Sequence, residues 1–115
     1  MKHMDKKTKD ALGRIERVKA RIGRMDLVCS GTLAERKKKC GKPNCRCASD
    51  PESLHGPYYE WNRWEDGKLV HRIVSKEQSQ ALAKAIANQR EIKALLREWE
   101  RGTEAIVLGD RKRKS

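Results

Sequence analysis

Cys40-Gly41-Lys42-Pro43-Asn44-Cys45-Arg46-Cys47, with His55 eight residues further on, is the stretch on which the reading of this chain turns. The cysteine spacing is C-x4-C-x-C. Thiolates and imidazole are the usual ligands of zinc, and a structural zinc takes four of them in a tetrahedron. Gly41 and Pro43 supply the turn that lets the flanking sulfurs converge on one ion. Packing does not explain three cysteines in eight residues, because the segment around them holds almost no other apolar side chain. Two ligand sets fit. Cys40, Cys45, Cys47 and His55 close one compact loop; Cys29, Cys40, Cys45 and Cys47 require Cys29 to return across residues 30–39. Either set fills all four positions of a Zn2+ ion, and a closed site is structural rather than catalytic. The expectation is therefore a protein that is not an enzyme and has no catalytic residues.

Working outward, residues 40–57 are rich in Gly, Pro, Asn, Ser and Asp and read as loop. Tyr58–Trp64 and Leu69–Val74 are strand-like runs on either side of Glu65-Asp66-Gly67-Lys68, and Asp-Gly at that place predicts a β-hairpin. Ser75 with Gln78 forms a capping box, so a long helix is expected from there to about Arg101, ended by Gly102. Its stripe is Leu82, Ile86, Ile92, Leu96 and Trp99, and Glu91 and Glu98 lie on the opposite face. Upstream, Asp5 to about Met25 predicts an amphipathic helix with Leu12, Ile15, Val18, Ile22 and Met25 on its apolar face. Gly31 to Lys39 reads as a short basic helix.

Charge is spread unevenly over the 115 residues, which carry a formal net charge of +12. Residues 1–39 carry +8, residues 40–74 are neutral, and residues 75–101 and 102–115 carry +2 each. Such asymmetry points to a polyanion partner for the N-terminal third. Arg14, Arg17, Arg21 and Arg24 step by three and four residues. At 100° per residue they fall within roughly 80° of one another, opposite the apolar stripe. The arginine fork suits bidentate phosphate contacts. Arg36, Lys37, Lys38 and Lys39 form a second basic patch beside the cysteines, and Lys42 and Arg46 lie within the knuckle itself. The competing reading of the arginine row is a pairing with the acidic face of the C-terminal helix. Tyr58, Tyr59, Trp61 and Trp64, four of five aromatics, either stack on unpaired bases or form the miniature core beneath the zinc site; the core reading is preferred.

Hydrophobic residues make up 37% and charged residues 38%, against roughly 45–50% and 25% in an ordinary globular domain. That composition argues against a large buried pocket. The longest apolar run, Ala105–Leu108, is far short of the roughly 20 residues a bilayer span needs. No secretory signal is apparent at the N-terminus, so the expected location is the cytoplasm, beside the nucleoid if DNA is the ligand.

The residues CGKPNCRCA (40–48), HGPYY (55–59), the Gly67-Lys68 turn and the long polar helix together resemble an uncharacterised family of small prokaryotic proteins. The resemblance runs from about Gly31 to Trp99. It implies an association with mobile elements and favours Cys40, Cys45, Cys47 and His55 as ligands, since Cys29 stands outside the motif.

The expected architecture is thus α+β and zinc-stabilised: a basic helical segment over 1–39, then the knuckle, hairpin and long helix over 40–101, and a basic tail over 102–115. The expected function is nucleic-acid binding, DNA ahead of RNA, regulatory or accessory to a mobile element. The alternative is a zinc-stapled adaptor whose amphipathic helices bind a protein such as a recombinase. The C-terminal helix is also suited to forming a homodimer.

Overall fold

A computed structural model describes residues 5–39 and 41–109, apart from the side chain of Lys38. Elements follow in the order α1 (Lys6–Gly23), β1 (Thr32–Lys38), β2 (His55–Glu65), β3 (Lys68–Val74) and α2 (Lys76–Leu108). The protein is α+β: two helices and one antiparallel sheet of order β1-β2-β3. The chain divides into two compact units, residues 1–28 with 87–115 and residues 29–86.

The first unit is a pair of helices. Asp5 starts α1 by accepting a hydrogen bond from the Thr8 amide at 2.8 Å, which satisfies one of the orphan donors of the first turn. Ala11, Ile15 and Val18 are buried along one face. Ala11 takes a core place that the apolar periodicity assigns to Leu12, and Leu12 is exposed. α2 does not stop near Arg101. It continues through Gly102 to Leu108, and Gly102 is buried inside it. A Cβ built at Gly102 would lie 2.9 Å from Ile15 Cγ1, so the glycine is there for closeness of approach and not for helix termination.

The second unit is built on the sheet. Asp66 and Gly67 both have positive φ, 53° and 80°, as a two-residue hairpin turn matched to strand twist requires. The β2–β3 ladder runs in one register from Tyr59↔Val74 to Glu65↔Lys68. The basic stretch read as a short helix is instead β1, an edge strand paired with β2 from Thr32↔Asn62 to Arg36↔Tyr58. Charged residues are common on exposed edges because they resist further strand pairing, so the run Glu35–Lys38 is compatible with a strand here. Register slips between Arg36 and Lys38, and Lys38 pairs with His55. At the bulge Gly56 and Pro57 of β2 stand opposite the single residue Lys37 of β1. Gly56 has φ 127°, and a Cβ there would meet Arg36 O at 2.9 Å; only glycine fits that backbone.

The expected capping box is present. Gln78 N donates to Ser75 Oγ at 3.0 Å, and Ser75 N donates to Gln78 Oε1 at 2.8 Å. Cys47, Val74, Ser79, Ala85 and Ile86 are buried in this unit. The aromatics do not form the core that was expected of them. Tyr58, Tyr59 and Trp61 are half-buried, and Trp64 is 73% exposed. Trp61 lies under the Arg63 guanidinium, 4.2 Å from the ring centroid, and its indole donates to Ser30 O at 2.9 Å.

Candidate metal centre

The loop between β1 and β2 is held by local backbone bonds. Cys45 N donates to Lys42 O at 3.2 Å, closing the turn that Pro43 and Asn44 occupy. Cys45 then leads into one turn of 3-10 helix, Arg46–Ala48, in which Ala48 N bonds Cys45 O at 3.0 Å. Asp50 caps a second such turn, Pro51–Ser53, by accepting from Glu52 N and Ser53 Oγ, each at 3.0 Å. The chain emerges at His55, which opens β2 and is anchored through its pairing with Lys38.

This path brings Cys45 Sγ, Cys47 Sγ and a His55 ring nitrogen within 4.8 Å of one another. Cys45 Sγ and His55 Nε2 are 3.1 Å apart. Cys47 is fully buried; Cys45 and His55 are half-buried. A tetrahedral ion with metal–sulfur bonds of about 2.3 Å and metal–nitrogen bonds of about 2.0–2.1 Å separates its ligand atoms by roughly 3.5–3.8 Å. The three donors are close enough together to hold a metal ion. Cys40, the remaining cysteine of the motif, lies outside the described residues. Cys29 is not part of the cluster; its amide donates to Ala85 O at 3.1 Å.

The basic residues singled out in the sequence fall into two groups. Arg14 and Arg17 are exposed on α1 and Arg24 is exposed at its C-terminal cap, as are Lys37 and Lys39 around the end of β1 and Lys42 in the loop. The Arg46 side chain is 83% exposed and reaches only to 3.7 Å from Asp50. Two others are already committed to carboxylates. Arg21 makes a bidentate pair with Glu91 of α2, at 2.6 and 2.9 Å. Hydrogen bonding to Arg21, with its charge, holds the Glu91 carboxyl below its ordinary range, and the same pair raises the Arg21 guanidinium. Arg36 Nε donates to Glu60 Oε1 at 3.0 Å across the β1–β2 ladder. For Arg21, the competing reading of the arginine row is therefore the right one. Glu91 was visible on the acidic face of α2. Glu60 was hidden, because its meeting with Arg36 depends on residues 32–38 being a strand. His71 bonds Asn62, its cross-strand partner, and lies 3.8 Å from Glu60. The Lys38 side chain and the basic residues Arg111–Lys114 lie outside the described residues.

A small α+β protein with a Cys-Cys-His cluster on the loop between two strands is the class that fold and site define. The chain belongs to the family described as a domain of unknown function, DUF6788, whose profile matches residues 8–84. No curated protein and no solved structure matches it. The matched segment contains α1 from Thr8 onward, the whole sheet, the cysteine loop and the first turns of α2. No helix among the described residues is long and apolar enough to cross a membrane.

Proposed function

We propose that this is a zinc-stapled nucleic-acid-binding protein, with DNA ahead of RNA as its ligand and no catalytic activity of its own. The observation that carries the reading is the convergence of Cys45, Cys47 and His55 on a loop that also presents the exposed cations Lys42 and Arg46. Cys40, five residues before Cys45 in the sequence, is the fourth ligand this reading calls for. A closed set of four ligands leaves no position for a reacting water, so the ion holds the loop rather than performs chemistry. Arg14 and Arg17 on α1 and Arg24 at its C-terminal cap, with Lys37, Lys39, Lys42 and Arg46 in the second unit, supply phosphate contacts. Arg21 and Arg36 support the fold through Glu91 and Glu60 and contribute less. The motif resemblance favours a regulatory or accessory role beside a mobile element.

Two measurements test the reading. Native mass spectrometry of protein purified without added metal should find one zinc per chain, and a metal-free chain with reactive thiols would remove the staple. Binding to duplex DNA should weaken steeply with salt. Neutralising six to eight phosphates predicts a log–log slope of about −5 to −7. A slope shallower than about −2, or no binding at roughly 50 mM salt, would end the nucleic-acid reading.

A further inference from the structure

α2 carries a second apolar stripe that is only partly covered: Ile92 and Trp99 are half-buried, and Leu96, Thr103 and Val107 are exposed. Ile92, Leu96, Trp99, Thr103 and Val107 step by four, three, four and four residues, which places them within roughly 80° of one another. The direction in which Gly102 approaches Ile15 lies about a quarter-turn away from the centre of this stripe. Leu96 is 44% exposed and Val107 71%. Leu96, Trp99 and Thr103 line a shallow groove of about 540 Å³ whose remaining walls are Glu100 and Glu104. The Thr103 hydroxyl is already satisfied, since it donates to Trp99 O at 3.0 Å. Burying it therefore strands no donor.

The charges along one edge of the stripe identify the occupant. Lys93 and Arg97 come first, and Glu100 and Glu104 follow one and two turns later on the same side of the helix. A single helix edge that is basic in its first half and acidic in its second complements itself when reversed. In a parallel two-fold pairing this edge would face the other edge of the second copy, and its two halves would have no match in each other. In an antiparallel pairing Lys93 meets the carboxylates of Glu100 and Glu104 twice over, against a single approach of Arg97 to its own copy at the two-fold axis. Antiparallel helices also bring like edges together across their seam. Nucleic acid does not suit this groove, because its acidic rim repels phosphate.

We propose that α2 forms the interface of an antiparallel homodimer, with the Leu96–Trp99–Thr103 groove occupied by the same groove of a second copy. The apolar pattern sets the register. Leu96 lies opposite Trp99 of the second copy, and Ile92 lies opposite Thr103 of the second copy. In that register Lys93 falls between Glu100 and Glu104 of the second copy, and the two-fold axis repeats the contact. The contact lies wholly on residues 92–107, beyond the family-matched segment. It does not depend on zinc or nucleic acid, so its failure and the failure of the proposed function are separate events.

Sedimentation equilibrium on the full chain tests the proposal, with helical ellipticity recorded for every variant. The unaltered protein should give a dimer mass. Leu96→Glu, at a half-exposed position on the outer face of the helix pair, should give a folded monomer. Lys93→Glu should weaken the dimer about tenfold by turning two symmetry-related attractions into repulsions. Adding Glu100→Lys and Glu104→Lys to Lys93→Glu reverses both sides of the Lys93 contact and should restore it. A monomer at every concentration up to roughly 0.1 mM would overturn the proposal. So would a dimer indifferent to Leu96→Glu. A dimer lost with Leu96→Glu but unaffected by Lys93→Glu would refute the antiparallel register.

Discussion

Gly13 and Gly102 both lie inside helices of the same helix pair, yet replacing each by alanine should change stability in opposite directions. Alanine is worth about 0.8–1.0 kcal/mol over glycine in a helix interior. At Gly13 nothing opposes that gain. The nearest atom to the new methyl is Arg17 Nη1 at 3.5 Å, an ordinary contact with the end of a flexible side chain. Gly13→Ala should therefore stabilise by about 0.4–1 kcal/mol. At Gly102 the new Cβ would lie 2.9 Å from Ile15 Cγ1, 3.1 Å from Ile15 Cδ1 and 3.5 Å from Ala11 O. Carbon atoms prefer separations of about 3.5–4.0 Å. Ile15 is buried, and an isoleucine in a helix is held in essentially one χ1 rotamer, so it cannot swing aside. Overpacking of this kind costs about 1–3 kcal/mol. Set against the propensity gain, Gly102→Ala should destabilise by roughly 1 kcal/mol, which separates the two variants by about 2 kcal/mol. Urea unfolding followed by helical ellipticity, at one protein concentration, measures the difference. Ile15→Ala supplies the internal check. It is costly alone, by about 2–5 kcal/mol, but it removes both crowding atoms. In its presence Gly102→Ala should become stabilising. If Gly102→Ala stabilises the unaltered protein as much as Gly13→Ala does, α1 and α2 do not approach at Gly102 and the description of the first unit is wrong.

Acid should weaken the Arg21–Glu91 pair in a defined window. The folded Glu91 carboxyl titrates below its unfolded value because it accepts hydrogen bonds from Arg21. Its contribution is complete above the unfolded carboxylate range, near pH 4.5, and fades as pH falls through the folded value. The stability difference between the unaltered protein and Glu91→Gln should be constant near neutrality and vanish in acid; a difference that grows on acidification refutes the assignment. Cys29→Ser should retain one metal per chain in native mass spectra. His55→Ala and Cys47→Ser should each weaken metal binding by more than roughly a hundredfold, beyond what outer-shell changes achieve, and equal metal content in all three would discard the cluster. Gly56→Ala forces a side chain onto Arg36 O at a backbone angle alanine rarely adopts, a strain of about 1–3 kcal/mol. Because His55 precedes the bulge, this variant should lose metal more readily on titration with a chelator, and unchanged affinity would separate the bulge from the site.

Features decided over a few residues were legible in the sequence. Asp66-Gly67 specifies its turn because two consecutive positive φ angles suit few other pairs. Ser75 and Gln78 cap α2 with bonds that span three residues. Cys45 and Cys47 come together for the same reason, since one short turn of chain is enough to place them. His55 is a longer inference, and it rested on ligand chemistry and on the resemblance more than on spacing.

What the tertiary structure decided depends on partners distant in the chain. Gly102 has the local signature of a helix end, and only Ile15, arriving from α1, makes its missing side chain a packing requirement. Residues 32–38 carry too many charges to look like a strand on their own; they become one because β2 offers a ladder on one side and solvent receives the charges on the other. Trp64, read as core from its apolar character, stands in solvent together with its cross-strand partner Leu69 at the hairpin end of the sheet. Arg21 shares its spacing with Arg14, Arg17 and Arg24, yet it alone of the four is matched by Glu91, seventy residues away. Spacing along a helix fixes the side on which a charge lies. Whether that charge is spent on the fold or left for a ligand depends on what the rest of the chain brings opposite it.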